Sequence, residues 1–348
     1  MAEILRQTTV VRDGFHNAFT DLQFWQGNYW VSYRKGSAHV SMDGEAVVAV
    51  SGDRQRFRET AHLKMPGDCR DPKLLPVSKN CMAAYFPSWT EGAGERWTDE
   101  NGAVRRSLQQ YITFTENGYD WETPRPVLEP QKWLWRIRRY EGLYYGLIQN
   151  LTGDWSDGNK PHKLDLAVSE DLREWKHLTC IGGERGLNES DIHWQDNGDA
   201  WVVARTVKSS ERIGSYFACA SPPYKEWEVT PLFPVIHAPV FIEVENRLYV
   251  AGRSKPGREN DCGFPFKGSS LSVWEVGRAE VTPVLRIPAT GDCSYAGLIK
   301  DPQDRICMSY YSQHAYHHGV VDPPADTGIG KSAADVYFAE LELTQLQE

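Results

Sequence analysis

Six segments of the chain share one pattern: an apolar or aromatic run, a polar turn, and a returning run rich in aromatic and β-branched residues. They are FTDLQFWQGNYWVSYR from Phe19, DPKLLPVSKNCMAAYF from Asp71, LWRIRRYEGLYYGLIQ from Leu134, ESDIHWQDNGDAWVVAR from Glu189, APVFIEVENRLYVAGR from Ala238 and YAGLIKDPQDRICMSYY from Tyr295. Short apolar runs returning over Gly, Asp and Asn predict β-hairpins. One or two further strand-like runs follow each, and no helix-length pattern separates them, which argues against a parallel βαβ fold.

A shorter repeat punctuates the hairpins. Ser51 precedes Phe57, Thr115 precedes Trp121, Ser169 precedes Trp175 and Ser221 precedes Trp227, each by six residues, across turn-like stretches such as SGDRQRF, TENGYDW and SEDLREW. The copies stand roughly 50 to 65 residues apart, the size of a four-stranded antiparallel blade that must stack on neighbours to bury both faces. The expected fold is therefore all-β, a six-bladed β-propeller formed by residues 1–348 as a single domain. The N-terminal ILRQTTVV is expected to be the outer strand of the last blade, beside Asp335 to Leu343, because closing the ring removes exposed sheet edges. Gly257 to Gly268 and His314 to Lys331 are expected to form loops over a face, with HHG at 317–319 covering the mouth of the site.

Composition fits this picture. The 13 Trp, 16 Tyr and 12 Phe, with 29 Gly and 20 Pro, favour short aromatic strands and tight turns over long helices. A formal charge of −9 lacks the basic footprint of a nucleic-acid binder. There is no apolar run long enough for a membrane span, and MAEILRQTTVVRDG does not read as a signal peptide, so a cytoplasmic location is expected. The seven cysteines lack CxxC or zinc-type clustering and suit free thiols.

Equivalent positions in a propeller lie at equivalent radii around the channel. The first hairpin position holds Phe19, Asp71, Leu134, Glu189, Ala238 and Tyr295, so three blades offer a group capable of acid, base or nucleophile work. The returning strands end on Arg34, Phe86, Gln149, Arg205, Arg253 and Tyr311 on the same rim. Three forked guanidinium groups converging there suit a substrate carboxylate or phosphate. Arg70, next to Asp71, points elsewhere if the strand is regular and joins the substrate-binding arginines if this entrance is irregular.

The hairpin repeat, the turn signature, SYAGL around Tyr295 and NESDI followed by VVAR resemble the sialidase superfamily of glycoside hydrolases over essentially the whole chain. The resemblance implies that Tyr295 is the nucleophile, that Glu189 activates it, and that Arg205 and Arg253 belong to a carboxylate-binding set of three. Ala18 stands where the first of these arginines is expected, with Arg34 able to reach in from the adjoining strand end. The family's acid is an Asp on the loop after the first hairpin. HVSMDGE offers Asp43 there, with His39 in the same loop, and Asp71 is a further proton donor.

CRDPKL is also similar to the Arg-Asp-Pro stretch of propellers that cleave fructans and arabinans. That reading pairs Asp71 with Glu189 and needs Asp21 as the first-blade aspartate. A non-catalytic carbohydrate-binding propeller would use the same face, with Trp25, Trp89, Trp135 and Trp194 as stacking platforms or as blade packing. Trp135 and Trp89 are the better platform candidates, and His237 suits a sugar hydroxyl. No His or Cys spacing calls for a metal, and no cofactor is expected. The expected partner is a carbohydrate, acidic or related, and the expected activity is exo-acting glycoside hydrolysis.

Overall fold

The computed structural model describes residues 2–90, 97–98, 104–105, 107–152, 162–210, 212–254, 270–316 and 333–343. The excursion from Gly257 to Gly268 and the HHG stretch lie outside these. Blade one comprises His16–Trp25, Asn28–Gly36, Glu45–Ser51 and Arg58–Leu63, and blade two Lys73–Ser78, Cys81–Thr90, Ser107–Thr115 and Arg125–Pro126, with Asp68–Cys69 ahead of its first strand. Blade three is Lys132–Tyr140, Leu143–Asn150, Lys163–Ser169 and Lys176–Ile181, and blade four is Leu187–Trp194, Ala200–Ser210, Ile213–Ala220 and Glu228–Leu232. Blade five is His237–Val244, Arg247–Ser254, Ser270–Gly277 and Glu280–Ile287, and blade six is Cys293–Lys300, Ile306–Ser312 and Asp335–Glu342. Glu3–Val11 completes blade six, pairing Ile4 with Leu341 and Val11 with Val336. The six-bladed propeller and its N-terminal closure match the sequence expectation.

The period of two along each strand serves both faces. In blade two, Met82, Ala84 and Phe86 pack with Trp30 and Val48 of blade one, while the alternate Ala83 and Tyr85 pack with Leu134 and Ile137 of blade three. In blade one, Val47 and Ala49 turn the other way, onto Tyr311 and Phe338 of blade six. Each junction between neighbouring blades has its own apolar cluster. This is why the strands read as continuous apolar runs: each fully buried Val, Leu or Phe contributes about 1.5–3 kcal/mol whichever neighbour it faces.

The turn repeat lies between the third and fourth strands of blades one to four, on the face opposite the hairpin entrances. Ser51, Thr115 and Ser169 accept through their hydroxyls from the backbone N–H three residues on, and Asp53, Asn117 and Asp171 accept from the N–H groups beyond. Arg54, Gly118, Leu172 and Tyr224 all take positive φ there, and the indoles of Trp121, Trp175 and Trp227 donate back to the carbonyls of the last three. The signature is thus a side-chain-capped turn.

Beneath the entrance face, ion pairs tie the inner strands together. Arg136 donates to Asp21 at 2.8 Å and to the Ala296 carbonyl at 2.7 Å. Arg138 grips Asp191 at 2.9 and 2.5 Å, and Asp191 also accepts from Phe241 N–H at 2.8 Å.

Candidate active site

Every inner strand is interrupted where the aligned hairpins begin. The ladder shifts register between Ala18 and Asp21, Leu134 and Arg136, Leu187 and Ser190, His237 and Val240, and Ser294 and Gly297, and in blade two it breaks between Cys69 and Lys73. Phe19, Asp71, Ala238 and Tyr295 sit there in the left-handed region, with φ of 59°, 45°, 48° and 44°. Such non-glycine geometry costs on the order of 1–3 kcal/mol per residue and persists where the surroundings impose it. A bulge re-aims a side chain that a regular strand would point into a blade interface. Here it gathers residues from different blades at one mouth.

The Tyr295 hydroxyl donates to Glu189 Oε1 at 2.7 Å. Arg205 Nη1 reaches the same oxygen at 2.5 Å, and the bulge in blade five lets Ala238 N–H donate to Oε2 at 2.8 Å. Burial raises the proton affinity of Glu189, but Arg205, His237, the Tyr295 bond and Arg253 outweigh it and hold its carboxyl down at about 2. Tyr295 is moved well above the usual phenol range by burial and by the carboxylates of Glu189 and Asp71. Arg253 Nη2 lies 3.3 Å from His237 Nδ1, and its Nη1 lies 3.3 Å from the Cys293 carbonyl and 3.6 Å from Asp292. Arg205 Nε is buried and has no hydrogen-bond partner among the described residues.

Asp71 is the other unmet chemical demand of the site. Both carboxyl oxygens are buried without a hydrogen bond, and the nearest cation contact is Arg70 Nε at 3.8 Å. Burial first, then Glu189 and Asp68, push its carboxyl up to about 6 against the pull of Arg70 and Lys73. Lys73 Nζ donates to the Thr20 carbonyl at 3.1 Å and stands 5.8 Å from the centre of the Tyr295 ring. Burial and Arg136 lower its ammonium to about 8.

Several sequence expectations need correction. Arg34 does not face the pocket: it is fully buried, and its guanidinium is committed to Asp68 at 2.6 Å, the Ala38 carbonyl at 2.8 Å and Ser41 Oγ at 2.8 Å. Asp43 lies on the exposed side of its loop, accepting from Ser37 N–H and hydroxyl. Arg70, a substrate-binding candidate if the entrance is irregular, does turn inward where the first strand breaks between Cys69 and Lys73, but its guanidinium lies 4.5 Å over Phe19 and donates to Asp68 and to the His39 carbonyl. Trp135 is no open platform: only 5% exposed, it stacks on Trp133 at 4.4 Å, donates to Gln149 and backs Tyr295 at 6.1 Å. Trp25 packs between blades one and two and Trp194 stacks on Tyr140, both at the far ends of inner strands. Asp21, required by the furanoside reading, is taken by Arg136 and Leu74 N–H beneath the entrance face.

His39 is brought to the mouth, but with partners that sequence reasoning missed. Its Nδ1 lies 2.5 Å from Asp292 Oδ2, and His16 Nε2 lies 2.8 Å from the same oxygen. Tyr311 donates to Asp292 Oδ1 at 2.8 Å. Among the described residues, His16, His39 and Asp292 bring three ligand-type atoms within 4.8 Å. These atoms are joined by direct hydrogen bonds, and the guanidinium groups of Arg70 and Arg253 beside them oppose a dication. A signal for these residues was present: His16, Asp68 and Asp292 each stand three positions before the entrance residue of their blade.

No protein-family model and no curated protein matches the chain. Among solved structures it is similar to a protein of unknown function from Dyadobacter fermentans, with TM-score 0.75 and 15% identity over 99% of each chain. It is also similar to the phage phi92 endosialidase, with TM-score 0.65 and 11% identity over 99% of this chain and 70% of that one. A third is the Trypanosoma rangeli sialidase in complex with the inhibitor DANA, with TM-score 0.64 and 12% identity over 97% of this chain and 58% of that one. The chain therefore spans little more than half of the trypanosomal enzyme. At these identities the likeness carries the fold, a propeller shared with sialidases.

Proposed function

We propose that the protein is a glycoside hydrolase acting on a sugar that bears a carboxylate. The observation that carries this reading is the Tyr295–Glu189 pair, 2.7 Å apart, with Arg205 and Arg253 converging beside it. The propeller shared with sialidases supports it.

Tyr295 attacks the anomeric carbon while its phenolic proton passes to Glu189 Oε1. A neutral hydroxyl nucleophile avoids repulsion by a carboxylate next to that carbon. In the free protein this proton transfer is steeply uphill, since Glu189 is a weak base and Tyr295 a weak acid. A substrate carboxylate bound to Arg205 and Arg253 neutralises the cations that depress Glu189 and so raises its basicity. An acidic substrate thus prepares its own base, and binding and catalysis share the same two arginines.

A second reading is favoured by one observation. Asp71 near 6 and Glu189 near 2 are two carboxyl groups pushed apart by their surroundings, as an acid and its partner base are in glycosidases. In that case Asp71 protonates the leaving oxygen and Tyr295 only orients Glu189.

The test is a panel of 4-nitrophenyl sialoside, uronide, rhamnoside and arabinofuranoside, with Tyr295→Phe as control. Hydrolysis of an acidic member, lost in the control, is expected. Turnover of neutral members only, unaffected by the substitution, would overturn the acidic-sugar reading.

A further inference from the structure

The loop between the second and third strands of blade one, residues 37–44, is braced from beneath and from outside. Arg34 holds the carbonyls of Ala38 and Ser41 from below, Asp43 ties down Ser37, and Arg70 Nη1 donates to the His39 carbonyl at 2.8 Å. Gly44 passes so close over this base that a Cβ would meet Asp68 Oδ1 at 1.9 Å. The side chain so presented is His39, 45% exposed and bonded through Nδ1 to Asp292, whose own side chain is 15% exposed. The arginine and aspartate expected to touch substrate instead build a stage for a histidine.

We propose that His39, oriented by Asp292, is the proton donor to the leaving oxygen of the glycoside. This rests on the glycosidase reading above. A leaving group departs toward solvent, so its donor belongs at the rim. Asp43 turns outward, and both Asp71 oxygens are buried, which leaves the open imidazole. His39 and Tyr295 both pack edge-on against one ring, Phe19, at 5.3 and 4.9 Å between centroids. Donor and nucleophile therefore share one apolar neighbour.

In the free protein Arg70 Nη2 donates toward His39 Nε2 at 3.5 Å, so the leaving oxygen takes the place of that guanidinium. In the first step the imidazolium then gives its Nε2 proton to the glycosidic oxygen as the C–O bond breaks and its electron pair stays on that oxygen. Tyr295 Oη bonds to the anomeric carbon and its proton goes to Glu189. In the second step neutral His39 takes a proton from water, the water oxygen displaces Tyr295, and Glu189 returns the phenolic proton. One water is consumed and every group is restored. Asp292 is a positioning residue: it fixes the ring through Nδ1. Groups facing the ring are Asp292 and Tyr311 of blade six, His16 and Phe19 of blade one and Arg70 of blade two, with Arg253 of blade five behind Asp292.

The experiment compares two aglycones of the sugar that the wild-type protein hydrolyses: 4-nitrophenol, which leaves without a proton, and an alkyl alcohol, which needs one. His39→Gln is expected to lower kcat/KM about 10²–10⁴-fold on the alkyl glycoside and under about 10-fold on the aryl one. Asp292→Asn is expected to show the same bias and to shift the basic limb of the pH profile. The ratio between substrates on one preparation is unaffected by a partly unfolded sample. Equal losses on both aglycones, or the bias appearing in Asp71→Asn and not in His39→Gln, would overturn the inference while leaving the glycosidase reading intact. A wild-type protein inert on every glycoside of the panel would overturn both.

Discussion

The carboxylate of Glu189 and the phenol of Tyr295 are hydrogen-bonded at 2.7 Å although 106 residues separate them. The bond spans blades four and six, and blade five lies between, donating Ala238 N–H to the other carboxylate oxygen. Three consecutive blades thus fix one hydrogen-bonded pair.

Replacing either member should expose this dependence. Tyr295→Phe is expected to lower kcat about 10⁴-fold or more, as removal of a nucleophile does. Glu189→Gln should lose about 10²–10⁴-fold, the usual share of a proton-transfer group. Combined, they should lose little more than the worse single variant. Steady-state kinetics on the accepted aryl glycoside check this, and additive losses would show that the two residues do not act as a unit.

Arg253→Lys tests the coupling between substrate charge and base strength. One charge-assisted hydrogen bond is worth about 1.5–3 kcal/mol, so KM for an acidic glycoside should rise on the order of 10- to 100-fold. Because the same charge tunes Glu189, kcat should change as well. The neutral analogue lacking the carboxylate should be a poor substrate in kcat, and normal turnover of it at saturation would contradict substrate-assisted activation.

Asp71→Asn is expected to stabilise the protein in a pH-dependent way. The carboxyl rises from an ordinary 3.8 to about 6 in the fold, so the stability owed to its neutral form is complete below pH 3.8 and is lost as pH climbs through 6. The two-unit rise corresponds to on the order of 3 kcal/mol above that range. Melting temperatures at pH 5 and pH 8 should show the variant gaining over wild type at both, about twice as much in free energy at pH 8. A gain independent of pH would mean that Asp71 is paired in solution.

Asp21→Asn addresses the ion pairs beneath the entrance face. Removing its charge leaves the Arg136 guanidinium buried without its carboxylate, a loss of about 3–5 kcal/mol measurable by urea unfolding. The folded fraction should keep its kcat, since Asp21 faces Arg136 and Leu74 N–H. Abolished kcat in well-folded protein would revive the furanoside mechanism.

The propeller was legible because its physics is local and repeated. Hairpin alternation, capped turns of the SGDRQRF kind and the strand-like ILRQTTVV each depend on near neighbours in sequence, so six copies reinforced one another. Aligning the copies also found Glu189, Tyr295, Arg205 and Arg253, because bulged entrances and second-strand ends recur at fixed offsets.

Contacts between blades decided the rest. Whether Arg34 meets substrate or protein depends on Asp68, at 2.6 Å, from the next blade. Whether Asp43 or His39 faces the mouth depends on Asp292, 253 residues from His39. The sequence determined the ring and the radius at which its chemistry sits, since both follow from period and strand alternation. Only the tertiary structure decided which arginines remain for a ligand and which loop residue turns inward, because a buried charge goes to whichever partner the neighbouring blade supplies.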